Sequence, residues 1–270
     1  MPELPEVQTV VNSLQGLKTK KITNFKLYNN KVLYNKENKL LLKRTIFNKK
    51  ICSVYRIGKY IIIKLDKMYL SFHLRMTGYL YLSKIYKKNK YIRCYFTINN
   101  NEYLCFEDVR KFGGFYYHES INFIKNKIGI DPFNINFTNN WVIENLTKKN
   151  CQMKNLLLVQ GFICGLGNIY IDEVLWKSKI HPLKKSSTLS KLNCKNLHKN
   201  IIETLKNSIN HHGTTIINFK FDNMKSGTYK NKLNVYGRVD QNCKRCNNKI
   251  IKIKVAGRGT YICQKCQKLN

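Results

Sequence analysis

The sequence predicts an α+β chain: a strand-rich first half, then helices, then a small C-terminal hairpin. Three observations carry this prediction. Residues 22–120 hold short β-prone runs at the spacing of a sandwich or barrel. Residues 139–211 place apolar side chains at helical spacing. The last 28 residues contain two C-x2-C pairs, a spacing typical of a folded metal-binding ribbon.

The N-terminal segment 3–17 is predicted to be a helix. Its apolar residues fall on one helical face: Val7, Val10, Val11, Leu14 and Leu17. Strand runs follow, separated by Asn, Lys or Gly: ITNFKLY, ICSVYRI, KYIIIKL, YLSFHLRM, GYLYL, IRCYFTI, EYLCFEDV and FGGFYYH. This region is therefore expected to form a sandwich or barrel.

A break at IGIDPFN (128–134) marks the expected domain boundary. Helical patterns follow at about 139–149, 151–159, 168–178 and 188–211. A segment with three glycines, 161–168, interrupts them, and residues 212–233 are polar enough to predict a loop.

Composition excludes several classes of protein. Hydrophobic residues make up 43% of the chain, which is too many for a disordered protein. No apolar stretch approaches the roughly 20 residues that span a bilayer. The opening MPELPEVQTV carries two acids and no base, unlike a signal or transit peptide. We therefore expect a soluble, intracellular protein.

The net charge of +34 points to a polyanionic partner. Part of it reflects an AT-rich genome, because the chain has 41 Lys, 8 Arg, 34 Asn and a single Ala. Codon bias alone does not explain why acids number only 15. Nucleic acid is favoured over a membrane surface, because no long basic amphipathic helix with an apolar face is present.

Four of the ten cysteines predict a metal site. Cys243, Cys246, Cys263 and Cys266 have the C-x2-C, sixteen residues, C-x2-C spacing of tetrahedral zinc on four thiolates. Disulfides are the alternative, which an intracellular location disfavours. The intervening residues predict two strands, with Arg258 at the hairpin tip between two glycines. The other six cysteines are expected to be buried thiols.

The N-terminus offers a nucleophile. Removal of Met1 would leave Pro2 with a free secondary amine, which titrates near ~8 and adds to sugar carbonyl carbons. Glu3 and Glu6 lie within reach as acid or base. The alternative is a helix N-cap with Pro and Glu in the first turn.

Several motifs occur in a familiar order along the whole chain. They are MPELPEV (1–7), RIGKYIIIKL (56–65), HLRMTG (73–78), DVRKFGGF (108–115), GLGNIYIDEVLW (165–176), IHP (180–182) and VYGR (235–238), followed by the four-cysteine ribbon. Together they closely resemble bacterial formamidopyrimidine-DNA glycosylases. The sister endonuclease VIII group typically opens with PEG where this chain has PEL.

The resemblance implies an N-terminal β-sandwich domain, a helical domain with a helix–two-turns–helix motif, and a zinc-ribbon hairpin. The corresponding limits are 1–130, a linker at 131–137, 138–234 and 235–270. It implies that the protein binds damaged double-stranded DNA, flips the damaged base out of the stack and excises it. The implied substrates are oxidised purines, such as 8-oxoguanine and formamidopyrimidines. It further implies abasic-site lyase activity with β,δ-elimination, one structural Zn²⁺, a monomer, and a bacterial cytoplasmic, nucleoid-associated location.

By the same resemblance, Pro2 attacks C1′ of the damaged nucleotide and becomes the Schiff-base link. Glu3 protonates the sugar oxygen, and Glu6 is a pocket carboxylate beside the flipped nucleoside. Lys59 supports β-elimination and holds a phosphate, and Arg258 grips phosphates and takes part in δ-elimination. Without the resemblance, Lys59 would be interpreted as a strand-edge lysine in contact with solvent.

The implied DNA contacts form two groups. Met76, Arg110 and Phe112 match residues that fill the void left by the base, although core packing is the commoner role of Met and Phe. Asn168 matches a phosphate clamp at a helix start and can also serve as an N-cap. Lys154 aligns with a phosphate contact, and its alternative is a solvated lysine.

The resemblance implies two further sets of site residues, Tyr91 and a loop at 226–229. Tyr91 stands where the family often has a DNA-contacting His, so it can bond a phosphate but carries no positive charge. Ser226, Gly227, Thr228 and Tyr229 fall where the family has a mobile loop over the flipped base. The rival hypotheses are an endonuclease VIII-type enzyme for oxidised pyrimidines and a non-catalytic zinc-ribbon nucleic-acid binder.

Overall fold

The computed structural model describes residues 1–35, 39–214 and 226–269. They form two compact units, each made of two chain segments. The first comprises Met1–Asn126 and His211–Thr228, and the second Lys127–Asn210 and Tyr229–Asn270. Residues 211–228 thus belong to the first unit, whereas the sequence placed them in the helical domain. The other predicted domain limits remain predictions.

All eight predicted strand runs form strands of the first unit. They are β1 (Lys21–Leu27), β2 (Lys49–Ile57), β3 (Tyr60–Leu65), β4 (Tyr69–His73), β5 (Gly78–Ser83), β6 (Ile92–Ile98), β7 (Glu102–Asp108) and β8 (Gly114–His118). They pair antiparallel in the order β5-β7-β6-β1-β2-β3-β4-β8. Alternating buried and exposed side chains, clearest in β1, give each strand one face toward a core.

The two halves of this sheet face each other around an aromatic core. Phe72 of β4 lies 6.0 Å from Phe96 of β6 and 5.8 Å from Phe106 of β7, measured between ring centroids. Phe115 of β8 meets Phe96 edge-on at 5.7 Å. Because these rings come from opposite ends of the strand order, the sheet folds over itself, and the predicted β-sandwich is confirmed.

Helix α1 (Leu4–Ser13), followed by a 3₁₀ turn at Gln15–Leu17, packs on β2 and β3 as the 3–17 prediction requires. Its alignment is fixed by two hydrogen bonds. Gln15 Nε2 donates to Val54 O at 3.0 Å, and Arg56 Nε donates to Gln8 Oε1 at 3.1 Å. Moving toward the N-terminus of α1 therefore leads toward the β2–β3 turn.

Two short helices of the first unit were not predicted: α2 (Lys39–Ile46) and α3 (Asn122–Lys125). Both are under three turns long. Helix α2 lies in a Lys-rich stretch, and its Leu42 and Ile46 have no exposed surface. Packing of these two residues stabilises a helix that is too short to be stable by itself.

The second unit contains the four predicted helices: α4 (Asn139–Thr147), α5 (Met153–Leu158), α6 (Asn168–Lys177) and α7 (Lys191–Asn210). Thr138 caps α4 by accepting from Trp141 N at 3.1 Å. Helix α7 packs against α4 and α6. Among the residues with described structure, every helix is too short or too polar to cross a membrane.

The C-terminal hairpin pairs β9 (Ile251–Val255) with β10 (Arg258–Ile262). Its turn is Ala256–Gly257, with φ of +53° and +67°. Left-handed backbone at both turn residues is the geometry of a two-residue hairpin. Arg258 is therefore not the tip between two glycines that the sequence predicted. It is the first residue of β10, paired with Val255.

Candidate functional site

The N-terminal end of α1 is held by two buried acids. Glu3 and Glu6 are 3% and 1% exposed, and Pro2 is buried beside them. Glu3 N donates to Glu6 Oε2 at 2.8 Å, while the Glu3 carboxylate accepts from the Glu6 backbone N–H. This is a reciprocal capping box, so the capping alternative is realised. It also fixes both carboxylates next to the residue that would carry the free amine.

Glu6 is joined to a chain segment that is distant in sequence. Its Oε1 accepts from Thr214 N at 2.6 Å. Gly213, at φ +81°, leaves room for this contact, because a Cβ there would lie 2.8 Å from Glu6 Oε1. Thr228 pairs with Thr214, and Thr228 N donates to His211 O at 2.9 Å.

Two of the predicted pocket residues are Gly227 and Thr228. The pairing of Thr228 with Thr214 places them beside the Gly213–Thr214 segment that binds Glu6. A Cβ at Gly227 would lie 2.2 Å from Gly213 O, so the two backbones are in close contact. Ser226 is exposed next to them. The remainder of this polar segment, residues 215–225, lies outside the described residues.

Tyr229 differs from the prediction. It is 1% exposed, opens the 3₁₀ turn Tyr229–Lys232, and packs on Tyr170 with ring centroids 6.0 Å apart. Burial raises the pKa of its phenol. Tyr229 is thus a core residue of the second unit rather than part of a mobile pocket loop, because its ring gains more from apolar contacts than from water.

Lys59 lies in the tight turn between β2 and β3, after Gly58 at φ +54°. It is only 6% exposed, which contradicts the interpretation as a solvated strand-edge lysine. The α1 alignment brings the N-terminal end of that helix toward the same turn. A cation that is mostly shielded from water therefore lies near the segment that carries Pro2 and Glu3.

His73 was not singled out from the sequence, although it opens the HLRMTG motif. It pairs with Tyr60 across β3 and β4. Burial, aided by the charges of Arg75 and Lys59, lowers its pKa to about 3. Its Nδ1 accepts from Arg75 N at 3.0 Å, so the neutral ring carries its proton on Nε2 and is a hydrogen-bond donor.

The three void-filling candidates lie together. The Arg110 guanidinium is 5.0 Å from the Phe112 ring centre, and its Nη1 is 3.0 Å from Met76 Sδ. Met76 and Phe112 are 47% and 54% exposed. These exposures exclude the core-packing alternative for both side chains. An exposed wedge of Met, Arg and Phe is suited to insertion between base steps.

Beneath the wedge, the buried carboxylate of Asp108 joins the two loops. It is fully buried and accepts from Gly113 N at 2.6 Å, from Arg110 N at 3.2 Å and from the Thr77 hydroxyl. Thr77 follows Met76, so a single side chain holds both parts of the wedge. Arg93 Nε in turn donates to Asp108 O at 2.7 Å.

We expect Asp108→Asn to loosen the wedge. The amide would present an NH₂ group where the carboxylate now accepts, leaving a buried donor unpaired at a cost of about 1–3 kcal/mol. Affinity for a duplex with a stable abasic-site analogue should fall about tenfold, or about 1.4 kcal/mol. Fluorescence anisotropy measures this, with the exposed Asp66→Asn as control. Unchanged affinity would show that Asp108 does not hold the wedge.

Tyr91 lies beside this loop. Its backbone O accepts from Asp108 N at 3.0 Å, its side chain is 37% exposed, and Lys90 Nζ lies 5.3 Å from its ring centre. The phenol is therefore accessible, and the adjacent lysine supplies the positive charge that a tyrosine lacks.

Asn168 and Arg258 are brought together in the second unit. Asn168 begins α6, and its Nδ2 donates to Gly259 O at 3.0 Å, next to the exposed Arg258. Its Oδ1 is buried without a hydrogen-bond partner among the described residues. The N-cap residue of α6 is Gly167, which has no side chain that could cap the helix. A helix start beside an arginine is suited to binding an anion.

Lys154 does not match its predicted role. It has no exposed surface, and its Nζ lies 2.6 Å from Asp172 Oδ1, also in the interior. The predicted phosphate contact is contradicted in this conformation, because an enclosed ammonium group cannot reach a ligand in solution. Sequence alone could not separate this lysine from 40 others.

The four ribbon cysteines form the metal site. Their sulfurs all lie within 4.8 Å of one another. The nearer pairs, Cys246–Cys263 at 3.4 Å and Cys243–Cys266 at 3.9 Å, exceed the disulfide bond length of about 2.05 Å. Burial disfavours the Cys243 thiolate, but hydrogen bonds from Arg245 N and Trp176 Nε1 outweigh it and lower its pKa to about 6. Four thiol donors at these separations fit tetrahedral zinc.

Comparison with protein-family models shows which family the chain belongs to. A family model for the formamidopyrimidine-DNA glycosylase N-terminal domain matches residues 1–115, and one for the formamidopyrimidine-DNA glycosylase H2TH domain matches residues 128–220. The chain belongs to the formamidopyrimidine-DNA glycosylase family. A third model, the zinc finger found in FPG and IleRS, matches residues 240–269. Together with the four-cysteine cluster, it shows a site for one structural zinc ion.

Curated members of the formamidopyrimidine-DNA glycosylase family match over the full length. The Lactobacillus gasseri enzyme is 37% identical, with 100% of this chain and 99% of the relative covered. The Streptococcus pyogenes serotype M3 enzyme is 39% identical, with 99% of each covered. Along this chain, the three family models match in the order N-terminal domain, H2TH domain and zinc finger.

Solved structures of formamidopyrimidine-DNA glycosylases have the same fold. A Lactococcus lactis FPG mutant in complex with a Fapy-dG containing DNA superposes with a TM-score of 0.92 at 36% identity, covering 99% of this chain and 100% of that one. The Lactococcus lactis protein with an abasic site containing DNA gives 0.91 at 35%, covering 98% and 99%.

Proposed function

We propose that this chain excises oxidised purines from damaged double-stranded DNA through a Schiff base on Pro2, and then cleaves the abasic site by β,δ-elimination. DNA glycosylase activity in base excision repair follows from family membership, and abasic-site lyase activity is part of that family. The observation that carries the proposal is the N-terminal end of α1. Two buried acids are fixed there by a capping box, beside the residue that would carry the free amine.

The chemistry requires that Met1 be absent. The Pro2 amine attacks C1′, the bond from C1′ to the base nitrogen breaks, and the base leaves with the proton that the amine gives up. Glu3, acting as general acid, protonates the sugar ring oxygen, so the ring opens and the nitrogen lone pair forms an iminium. This cation withdraws electrons from C2′. Loss of a C2′ proton then expels the 3′ phosphate, and a second elimination expels the 5′ phosphate.

Charged and polar groups supply the remaining roles. Lys59, shielded in the β2–β3 turn, supports β-elimination and holds a phosphate. Arg258 grips phosphates and takes part in δ-elimination. Asn168 and the start of α6 bind backbone phosphate. The neutral Nε2–H of His73, close to Lys59, is a further phosphate donor.

The pocket and wedge complete the proposal. Glu6, anchored by Thr214, lies beside the flipped nucleoside, with Gly227 and Thr228 next to Thr214. Met76, Arg110 and Phe112 fill the void in the stack. The preference for purine lesions is supported by the Fapy-dG in the DNA of related complexes. A monomeric state and a cytoplasmic, nucleoid-associated location remain predictions.

The alternative is a non-catalytic nucleic-acid binder, which the charge of +34 favours. Binding through phosphates alone would depend steeply on salt and show no preference for a lesion. A protein of that kind needs neither Pro2 nor the buried acids around it.

Borohydride trapping on an 8-oxoguanine:C duplex tests the proposal. We expect a covalent adduct whose mass and peptide map locate the DNA remnant on Pro2, with Met1 gone. A preparation that retains Met1 is the matched control and should give no adduct. Lesion binding without an adduct, in chains shown by mass to lack Met1, would favour the non-catalytic binder.

A further inference from the structure

Helix α6 presents one face to the ribbon hairpin. Its residues Asn168, Asp172 and Trp176 are spaced by four, so they stack along one side of the helix. Asn168 Nδ2 donates to Gly259 O at 3.0 Å, and Asp172 Oδ2 accepts from Tyr261 N at 3.0 Å. Trp176 Nε1 donates to Cys243 Sγ at 3.4 Å. Three successive turns thus contact the ribbon at three separate points.

The first two contacts complete an otherwise open strand edge. Within the described part of the chain, β10 pairs with β9 alone, so the other edge of β10 presents an N–H and a C=O without a strand partner at alternate residues. Asn168 and Asp172 satisfy one carbonyl and one amide on that edge. These two side chains of α6 thus form the backbone hydrogen bonds that a third strand would form. They also fix the position of β10 along the axis of α6.

Asp172 is an unusual choice for this contact. It is 1% exposed, and burial raises the pKa of its carboxyl group. Lys154 of α5, fully buried, offsets this cost with an ammonium group 2.6 Å from Oδ1. Replacing a buried ion pair with apolar side chains is often neutral or even stabilises a protein. The Lys154–Asp172 pair is therefore not explained by a gain in folding stability. An apolar residue at position 172, however, has no acceptor for Tyr261 N–H.

We propose that Asp172, charge-balanced by Lys154, is a positioning residue that fixes β10 and thereby Arg258. Arg258 is the first residue of β10, one residue before Gly259 and three before Tyr261. A shift of the strand along α6 would move its guanidinium by a similar distance. This inference rests on the proposed role of Arg258 and assigns Lys154 an internal role in place of a DNA contact.

Two double variants isolate the hydrogen bond from the charge. Lys154→Met with Asp172→Asn removes the ion pair and keeps an acceptor for Tyr261 N–H. Lys154→Met with Asp172→Leu removes both, at similar side-chain volume. We expect both variants to bind one zinc and to form the Pro2 adduct within twofold of the parent. The leucine variant should perform δ-elimination at least tenfold more slowly, so β-elimination products accumulate.

Equal δ-elimination rates in the two double variants would overturn the proposal. The control is Glu203→Gln, an acid of the same unit whose contact with Lys199 at 3.8 Å is exposed, and it should change nothing. A general loss of folding would reduce zinc content and base excision together, whereas a positioning role changes the ratio of δ to β products.

A measurement on the unmodified protein decides the matter if the leucine variant does not fold. The Tyr261 amide should exchange with deuterium as slowly as the paired amides of β9, because Asp172 accepts its hydrogen bond. Fast exchange at Tyr261 would overturn the proposal. This measurement requires no catalysis. Protein shown by mass to lack Met1 that forms no Schiff base would disprove the proposed function, while the Asp172 contact would still be judged by exchange.

Discussion

Glu3→Gln should reduce base excision by about 10²–10⁴-fold while leaving lesion binding unchanged. Glutamine has no acidic proton to give to the sugar oxygen. It does keep an oxygen that can accept from the Glu6 backbone N–H, so the capping box and the start of α1 should persist. Single-turnover excision of 8-oxoguanine, followed by gel electrophoresis, measures the chemical step separately from product release.

The control for this variant is Glu119→Gln, which removes an exposed acid from the same unit. It should leave excision within twofold of the parent. Loss of lesion affinity in Glu3→Gln, at an unchanged excision rate for bound DNA, would contradict the role of Glu3 as general acid. It would instead assign the residue to DNA binding through the capped helix end.

Cys243→Ser should remove the zinc and abolish strand cleavage. Its thiol is buried and accepts hydrogen bonds from both Arg245 N and Trp176 Nε1, so the variant loses a metal ligand and disturbs the contact with α6. Ribbons of this size fold mainly through their metal. Without zinc, β9 and β10 no longer have a fixed position, so Arg258 is no longer held in place for its proposed role. Zinc content by mass spectrometry and cleavage of abasic DNA are the two readouts.

Cys52→Ser is the appropriate control, because that thiol lies in β2 of the first unit and is not one of the four ribbon cysteines. It should retain one zinc and full cleavage. A zinc-free Cys243→Ser protein that still cleaved abasic DNA at the parent rate would show that neither the metal nor the Arg258 hairpin is needed.

Most of the fold follows from local patterns. The eight strand runs of residues 22–120 are bounded by Asn, Lys and Gly, and each run forms a strand. The four later helices begin and end within a few residues of the apolar pattern. The zinc ligands were predictable because four sulfurs in two tight pairs leave few alternatives. These features depend on residues that are close together in the sequence, so a single sequence is sufficient to predict them.

Most of the errors have a different cause. Lys154, Tyr229 and α2 were misjudged or missed because their environment is made by residues far along the chain. Nothing near Lys154 indicates that Asp172 will neutralise it in the interior. The position of Arg258 was misjudged for a local reason: the sequence predicted the turn at residues 257–259, whereas Ala256 and Gly257 adopt the left-handed backbone of the turn.

The bond between Glu6 and Thr214 constrains how the protein is made. Synthesis delivers Pro2 and Glu6 first, and the partner of Glu6 follows only after 208 residues. The first unit therefore remains incomplete on the ribosome while the whole of α4–α7 is translated. Such distant closure is slow relative to local folding. The N-terminal end of α1 is thus synthesised early, whereas its carboxylate Glu6 acquires its partner late.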